Sequence, residues 1–267
     1  MRIGIVGLGL IGGSLGMALR TLPGQEVVGL TPTGETAVTA VDRGAVDQAS
    51  ADAAILHGCD VVVVATPIDQ IEHVIDQIAP LTLHGSLITD VASVKRPVRQ
   101  WVRRLPEPGL FLGGHPVAGK AQTGIEAAEA SLFRGEPWIF TPLEAQSLRP
   151  FDGWLKLVEA IGARPVFLSP ETHDHQMAYL SHLAFVASRA FAETVESHAD
   201  PSLGGPGYRG MVRLARGDSS MYASILRENQ NATLEAIDAF AVTMATLRQR
   251  IAAGQSAELV EGSHVAV

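Results

Sequence analysis

The tightest constraint on how this chain folds lies in residues 1–12, MRIGIVGLGLIG, where the apolar run 3–6 meets glycines at Gly7, Gly9 and Gly12. An apolar run that opens straight into a glycine-rich turn reads as a buried strand followed by a helix. Gly7 supplies the tight bend, Gly9 lets the backbone approach a pyrophosphate, and Gly12 lets a helix starting near Ser14 pack closely on the strand. The pyrophosphate is then expected on free amides at that helix's start, which makes Gly7, Gly9, Leu10, Ile11 and Gly12 cofactor-binding positions. Such glycine spacing also occurs in structural turns. The preceding strand-like run and the helical pattern Leu15, Met17, Ala18, Leu19 are what favour a dinucleotide here.

Strand and helix patterns keep alternating down to residue 168. Strands are expected at 26–30, 60–65, 86–89, 110–112, 138–141 and 165–168, and helices at 68–78, 95–105 and 151–161. This alternation predicts an α/β, Rossmann-type, mainly parallel sheet with right-handed crossovers and a site along the strands' carboxyl ends. The run DVVVVA at 60–65 suits a central strand buried on both faces, and Thr66 and Pro67 end it at that crevice as further cofactor positions. After the strand at 26–30 the chain reads Thr31, Pro32, Thr33, Gly34, with no acid until Glu35. A carboxylate there would bind the adenosine ribose hydroxyls and repel a 2′-phosphate. Its absence, with hydroxyls at Thr31 and Thr33, points to NADP rather than NAD, although no arginine follows to grip the phosphate.

Beyond about residue 169 the texture changes. Residues 172–198 contain neither glycine nor proline, and after a glycine-rich break at 203–207 a second helical stretch runs over 219–253. The expected division is a dinucleotide-binding domain over 1–169 and an all-helical substrate and dimerisation domain over 170–267, with 255–267 as a frayed tail. Long apolar helices with no sheet to cover must pack on each other or on a second copy, so a homodimer is expected.

The formal charge of −8 argues against nucleic acid and against an anionic membrane surface, and makes each basic residue informative, the three lysines Lys95, Lys120 and Lys156 especially. No apolar run approaches membrane-spanning length. The single cysteine, Cys59, forms no intrachain disulfide, and the first residues lack the charge and cleavage pattern of a secretion signal. A cytoplasmic protein is expected.

Three places carry side chains suited to chemistry. His115, in GGHPVAG, follows a strand on the crevice side, with Gly114 beside it leaving room for a substrate. An imidazole there is placed to exchange a proton with a hydroxyl undergoing oxidation. Ser93, in TDVASVK, ends the preceding strand and is placed either to orient that imidazole or to cap the helix that Lys95 begins. His173, Asp174, His175, Tyr179, Ser181 and His182 cluster early in the helical region. Their spacing lacks the HExxH pairing, so capping and crevice lining are expected rather than a metal. The third place is basic: Arg209, Arg213 and Arg216 around a glycine-rich break, where Arg213 suits a small anionic substrate and Arg216 a solvated face.

In this order GLGLIGGSL, ATP, TDVASVK, GGHPVAG, HDHQMAYLSHL and GYRGMVRLARGDSSMY resemble the prephenate/arogenate dehydrogenase family of tyrosine biosynthesis, over nearly the whole chain. The resemblance implies a Rossmann domain joined to a helical dimerisation domain, catalysing oxidative decarboxylation of a cyclohexadienol. It implies that His115 bonds the ring hydroxyl and helps remove its proton while hydride leaves for the nicotinamide. Ser93 would hold His115 and the hydroxyl, Arg213 a substrate carboxylate, and Ser181 and His182 would line the pocket. No metal is required.

Two departures bear on substrate. Where many prephenate-using members read SHLPH, this chain reads Ser181-His182-Leu183-Ala184-Phe185, and after GGHPVAG it has Lys120-Ala121-Gln122 with no acid. An aromatic face at Phe185 tolerates an ammonium and gives a keto oxygen nothing, which favours L-arogenate provided Lys120 turns away from the pocket. Prephenate dehydrogenase is the alternative. A β-hydroxyacid dehydrogenase would want a catalytic lysine at the crevice, and a non-catalytic NADP-binding sensor would need neither His115 nor Arg213.

Overall fold

The structure is a computed structural model that describes residues 1–82, 85–120, 122–217 and 219–255. The expected tail therefore lies outside the described residues from 256 onward. Strand β1 (Arg2–Val6) is buried from Ile3 on and runs into helix α1 (Leu10–Arg20), which begins at Leu10 rather than near Ser14 because Gly9 already stands at its N-cap. The remaining elements of this part are β2 (Glu26–Leu30), α2 (Gly34–Asp42), β3 (Gln48–Ser50), β4 (Val61–Val64), α3 (Ile68–Ile78), β5 (Leu87–Asp90), α4 (Arg96–Trp101), β6 (Phe111–Pro116), β7 (Pro137–Thr141), α5 (Asp152–Ala160) and β8 (Arg164–Phe167).

The sheet has eight strands in the order β3-β2-β1-β4-β5-β6-β7-β8. Strands β1 to β6 are mutually parallel, β7 is antiparallel to β6, and β8 is parallel to β7. The mainly parallel Rossmann-type sheet predicted above is therefore present, with α2 and β3 as additions. The segment QAS of β3 carries no apolar signal. Its place comes from pairing beside β2, where the neighbouring Asp47 carboxylate accepts from the Val27 amide at 2.8 Å.

Two apolar layers clothe the sheet. On one face Leu15, Leu19, Trp138, Phe140, Phe151 and Trp154 are packed with α1 and α5; on the other Val62, Val64, Ile71, Ile75 and Val98 join α3 and α4. All four valines of β4 are buried, as the DVVVVA pattern requires. Cys59 is buried too, and burial raises its thiol above the usual range. Strand β6 reaches well beyond 110–112. Its glycines are weak strand formers alone, but β7 supplies a ladder that places Gly114 opposite Phe140 and His115 opposite Ile139.

Helices complete the chain: α6 (Pro170–Met177), a π-helical turn over Ala178–His182, α7 (Leu183–His198), α8 (Pro206–Val212), α9 (Ser219–Glu228) and α10 (Gln230–Ala252). The chain forms two compact units, one of Met1–Met177 with Gly217–Glu228, the other of Ala178–Arg216 with the residues from Asn229 onward. Helix α6 thus stays with the sheet unit, where His173, Asp174 and Met177 are buried and the helix packs on α4 and β7. In the same unit α9 packs on α3 through the buried Ile225. In the second unit α7 packs on α8 and α10. No helix of the described residues is long and apolar enough to cross a membrane.

Candidate active site

At the carboxyl end of β1 the turn is shaped by missing side chains. Gly7 has φ +92°, and a Cβ on it would stand 2.8 Å from the Ala65 carbonyl oxygen. A Cβ on Gly12 would fall on the Gly7 carbonyl oxygen, so helix and strand approach as closely as the motif implies. Gly9 differs from both, since a Cβ there would meet nothing within 4 Å. That open space faces the first turn of α1, where Leu10 and Ile11 are half-buried and no side chain caps the helix. Across the turn, the Thr66 methyl would stand 3.0 Å from a Cβ on Gly7, and its Oγ1 is buried with no hydrogen-bond partner among the described residues. Pro67 stands at the N-cap of α3. Uncapped amides, an open cradle over Gly9 and an orphaned hydroxyl together fit a bound dinucleotide.

Thr31 and Thr33 are placed differently from the expectation that they reach a 2′-phosphate. Thr31 is buried and its hydroxyl donates to the Thr33 carbonyl oxygen at 2.8 Å, while Thr33 Oγ1 caps α2 by accepting from the Thr36 amide at 3.3 Å. Both hydroxyls already serve the loop.

His115 sits near the end of β6, half-buried, and its Nδ1 is 2.8 Å from His173 Nε2, the rings meeting edge to face. His173 is fully buried, and its Nδ1 lies 2.7 Å from Asp174 Oδ1. Asp174 in turn accepts from the Lys95 amide at 2.7 Å and the Arg96 amide at 2.9 Å, so it caps α4 from a distant part of the sequence. Burial pulls the His173 imidazole below its usual pKa, against the opposing effect of Asp174.

Beside this chain of contacts is a buried ion pair. Lys95 Nζ binds Asp90 Oδ2 and donates to the Gly114 carbonyl oxygen, while the Gly114 amide donates to Asp90 Oδ1 at 3.1 Å. Both side chains are essentially inaccessible, and burial pulls the Lys95 ammonium below its usual range while Asp90 works against this. Gly114 is itself buried with both polar groups engaged, and a Cβ on it would come within 2.6 Å of the Asp90 carbonyl oxygen. What the structure shows of Gly114 is that it seats His115. Ser93 is half-buried in the loop after β5, and no hydrogen bond of its hydroxyl is found among the described residues. In this structure His173 stands against His115 where Ser93 was expected, and Asp174 caps α4 in place of Ser93.

Sequence reasoning singled out His115, put His173 and Asp174 in a capping and crevice-lining cluster and marked Lys95 as informative, but it did not join them to His115, and it missed Asp90. The available signal was TDVASVK itself, which puts a carboxylate at a strand end and one of the chain's few lysines five residues later.

In the helical unit, Ser181 and His182 lie in the π-helical turn, a device often found at functional sites. His182 is buried, its Nδ1 3.3 Å from both Thr233 Oγ1 and Asn229 Nδ2, and Ser181 is half-buried. Phe185 is half-buried in α7. Arg213 follows α8, exposed, and its guanidinium enters no ion pair among the described residues. Lys120 is exposed, as expected, and its ammonium has partners. It pairs with Glu129 at 2.6 Å and donates to the Ala127 carbonyl oxygen at 3.3 Å.

Residues 15–167 match the nucleotide-binding domain of prephenate dehydrogenase, and residues 169–264 match its dimerization domain. The chain belongs to the prephenate dehydrogenase family. The chain is 30% identical over 246 residues to the prephenate dehydrogenase of Bacillus subtilis, covering 88% of this chain and 66% of that one. It therefore spans about two thirds of that relative's length. Among solved structures, Synechocystis arogenate dehydrogenase is similar with a TM-score of 0.84 and 31% identity, covering 98% of this chain and 95% of the other. Prephenate dehydrogenase from Aquifex aeolicus, in complex with hydroxyphenyl propionate and NAD+, is similar with a TM-score of 0.89 and 27% identity, covering 98% and 94%.

Proposed function

We propose that this dehydrogenase carries out the oxidative decarboxylation of L-arogenate to L-tyrosine with NADP as hydride acceptor, as a homodimer in the cytoplasm. The observation that carries the substrate choice is the state of Lys120. Its ammonium, the one feature of the sequence set against an ammonium-bearing substrate, is exposed and paired with Glu129, while Phe185 stands where prephenate users in the family carry a second histidine. An aromatic face beside an ammonium is worth on the order of 1 kcal/mol and offers nothing to a keto oxygen.

In this reading Gly7, Gly9, Leu10, Ile11, Gly12, Thr66 and Pro67 hold the dinucleotide, whose nicotinamide supplies a two-electron acceptor for the hydride of the ring carbon. His115 accepts the ring hydroxyl's proton as the carbonyl forms. Loss of the ring carboxylate as CO2 leaves an aromatic ring, so the protein has only to position the reactants and manage one proton. Arg213, exposed and without an ion pair among the described residues, anchors a substrate carboxylate, and Ser181 and His182 are assigned to substrate binding as well. Homodimerisation is supported by the dimerization-domain match and by apolar residues of α10 open to solvent, Leu234, Phe240, Val242, Met244 and Ile251.

The cofactor choice rests on the lack of any carboxylate after β2 before Glu35. The engagement of both threonine hydroxyls within the loop favours a second reading, NAD, in which they only shape the turn. Steady-state kinetics with both substrates and both cofactors tests the whole proposal: the expected order of kcat/KM is arogenate over prephenate and NADP over NAD. A preference for prephenate overturns the substrate assignment, and a preference for NAD the cofactor assignment. Cofactor binding without turnover of either substrate would leave the sensor reading.

A further inference from the structure

We infer that His173 and Asp174 are positioning residues that hold His115 in the tautomer with its proton on Nδ1, so that Nε2 is the atom that takes the substrate's proton. This rests on the reading of His115 as the base and adds which nitrogen acts and what makes it act.

The tautomer follows from counting donors. The Lys95 and Arg96 amides can only donate, and Asp174 receives one on each oxygen, at 2.7 and 2.9 Å. A carboxylate in that role is also the acceptor toward His173, so His173 Nδ1 carries a proton. His173 is wholly buried, and burial disfavours its charged form. The neutral ring then has a bare Nε2, and that lone pair is what lies 2.8 Å from His115 Nδ1. His115 Nδ1 must donate, which leaves its Nε2 with a lone pair. When the substrate's O–H bond breaks, the proton passes to Nε2, and the imidazolium's Nδ1–H bond to His173 strengthens because donor and charge now coincide. The proton is not relayed on to His173; it stays on His115 and returns to the phenolate oxygen that forms when CO2 leaves.

The charged groups acting on His173 are Asp174 on its own helix, Asp90 at the end of β5 and Lys95 at the start of α4; Arg96 Nε stands 3.9 Å from Asp174. Lys95 and Asp90 also clamp both backbone groups of Gly114, so the chain just before His115 cannot follow a tilting ring. The ion pair thus fixes the backbone, and the His173–Asp174 pair fixes the ring and its proton.

The test uses the whole enzyme with His173→Leu, which removes the acceptor, and His173→Gln, whose side-chain oxygen replaces Nε2. His173→Leu is expected to lower kcat roughly 10- to 100-fold, part of the 10²- to 10⁴-fold that general base catalysis supplies, with the cofactor KM unchanged. The acid limb of kcat/KM should move to lower pH, because the imidazolium loses its acceptor. His173→Gln should regain most of the rate. Independently of turnover, ¹⁵N spectra of histidine-labelled enzyme without substrate should show His115 protonated at Nδ1, which decides the matter even if the leucine variant does not fold. Full activity with an unmoved acid limb in His173→Leu, or a His115 proton on Nε2, overturns the inference. If His115→Asn is inactive while His173→Leu is normal, only this inference falls. If His115→Asn itself turns over normally, the reading beneath it falls too.

Discussion

The glycine turn after β1 and the seat of His115 on β6 stand at the same edge of one sheet, at the carboxyl ends of parallel strands, yet they are made differently. The turn is shaped by what is absent: Gly7 clears the Ala65 carbonyl just beyond β4, Gly12 clears the Gly7 carbonyl, and Gly9 leaves open the space assigned to the proposed cofactor. The His115 seat is made of buried polar groups drawn from β5, the start of α4, β6 and α6. A site made by exclusion is broken by one methyl group and ignores pH. A site made of buried charge is broken by removing a partner and is sensitive to protons.

The separation of the two regions is tested most severely at the chemical centre. His115→Asn should lower turnover by about 10²- to 10⁴-fold while leaving cofactor binding, which belongs to the glycine turn, unchanged. Stopped turnover with intact cofactor titration is the expected result; parallel loss of both would mean that the two regions are one cooperative site.

Next in size is the ion pair beneath. Lys95→Met leaves Asp90 buried without its cation and frees the Gly114 carbonyl, and should cost about 3–5 kcal/mol in chemical denaturation. The double change Lys95→Met with Asp90→Leu should recover part of that loss, since paired apolar replacements remove the unmatched charge. Equal losses in the single and double variants would show that the clamp on Gly114, rather than the charge, is what matters.

The glycine turn should respond on a smaller scale. Gly12→Ala drives a methyl into the Gly7 carbonyl and should destabilise by about 1–3 kcal/mol, as overpacking does. Gly9→Ala meets nothing in the protein, so the melting temperature should hold while the cofactor dissociation constant rises. A drop in melting temperature for Gly9→Ala would show that its open space is not reserved for a ligand.

The smallest effect is on acid stability. His173 has a folded-state pKa below its ordinary 6.5, so on acidification the unfolded chain takes up the proton first. Its contribution to stability is therefore complete above about pH 6.5 and is lost as pH falls below it. Melting temperatures measured between pH 7.5 and 5, with His173→Gln as the comparison, should show a shallower acid decline in the variant. Identical declines would place the acid sensitivity elsewhere.

The order of strands and helices was legible because each element announces itself locally. The valines of β4 are apolar on both faces, and the spacing of Ile68, Ile71, Val74, Ile75 and Ile78 marks the buried stripe of α3. The short β3 was not legible, since QAS carries no pattern and is a strand only through its neighbour. Nor was the length of β6, where glycines that favour no strand are held in one by β7.

Local sequence was enough for the glycine turn after β1, the alternation that makes the sheet, and the placing of His115 at a strand end, because sterics and periodicity act between residues close along the chain. What holds that histidine came from tertiary packing. His173 is 58 residues from His115 and Asp174 is 79 from Lys95, so neither the hydrogen bond nor the helix cap leaves a spacing to be read. Ser93, close to the start of α4, makes neither contact among the described residues, because the buried ring and the buried carboxylate of α6 already satisfy those groups.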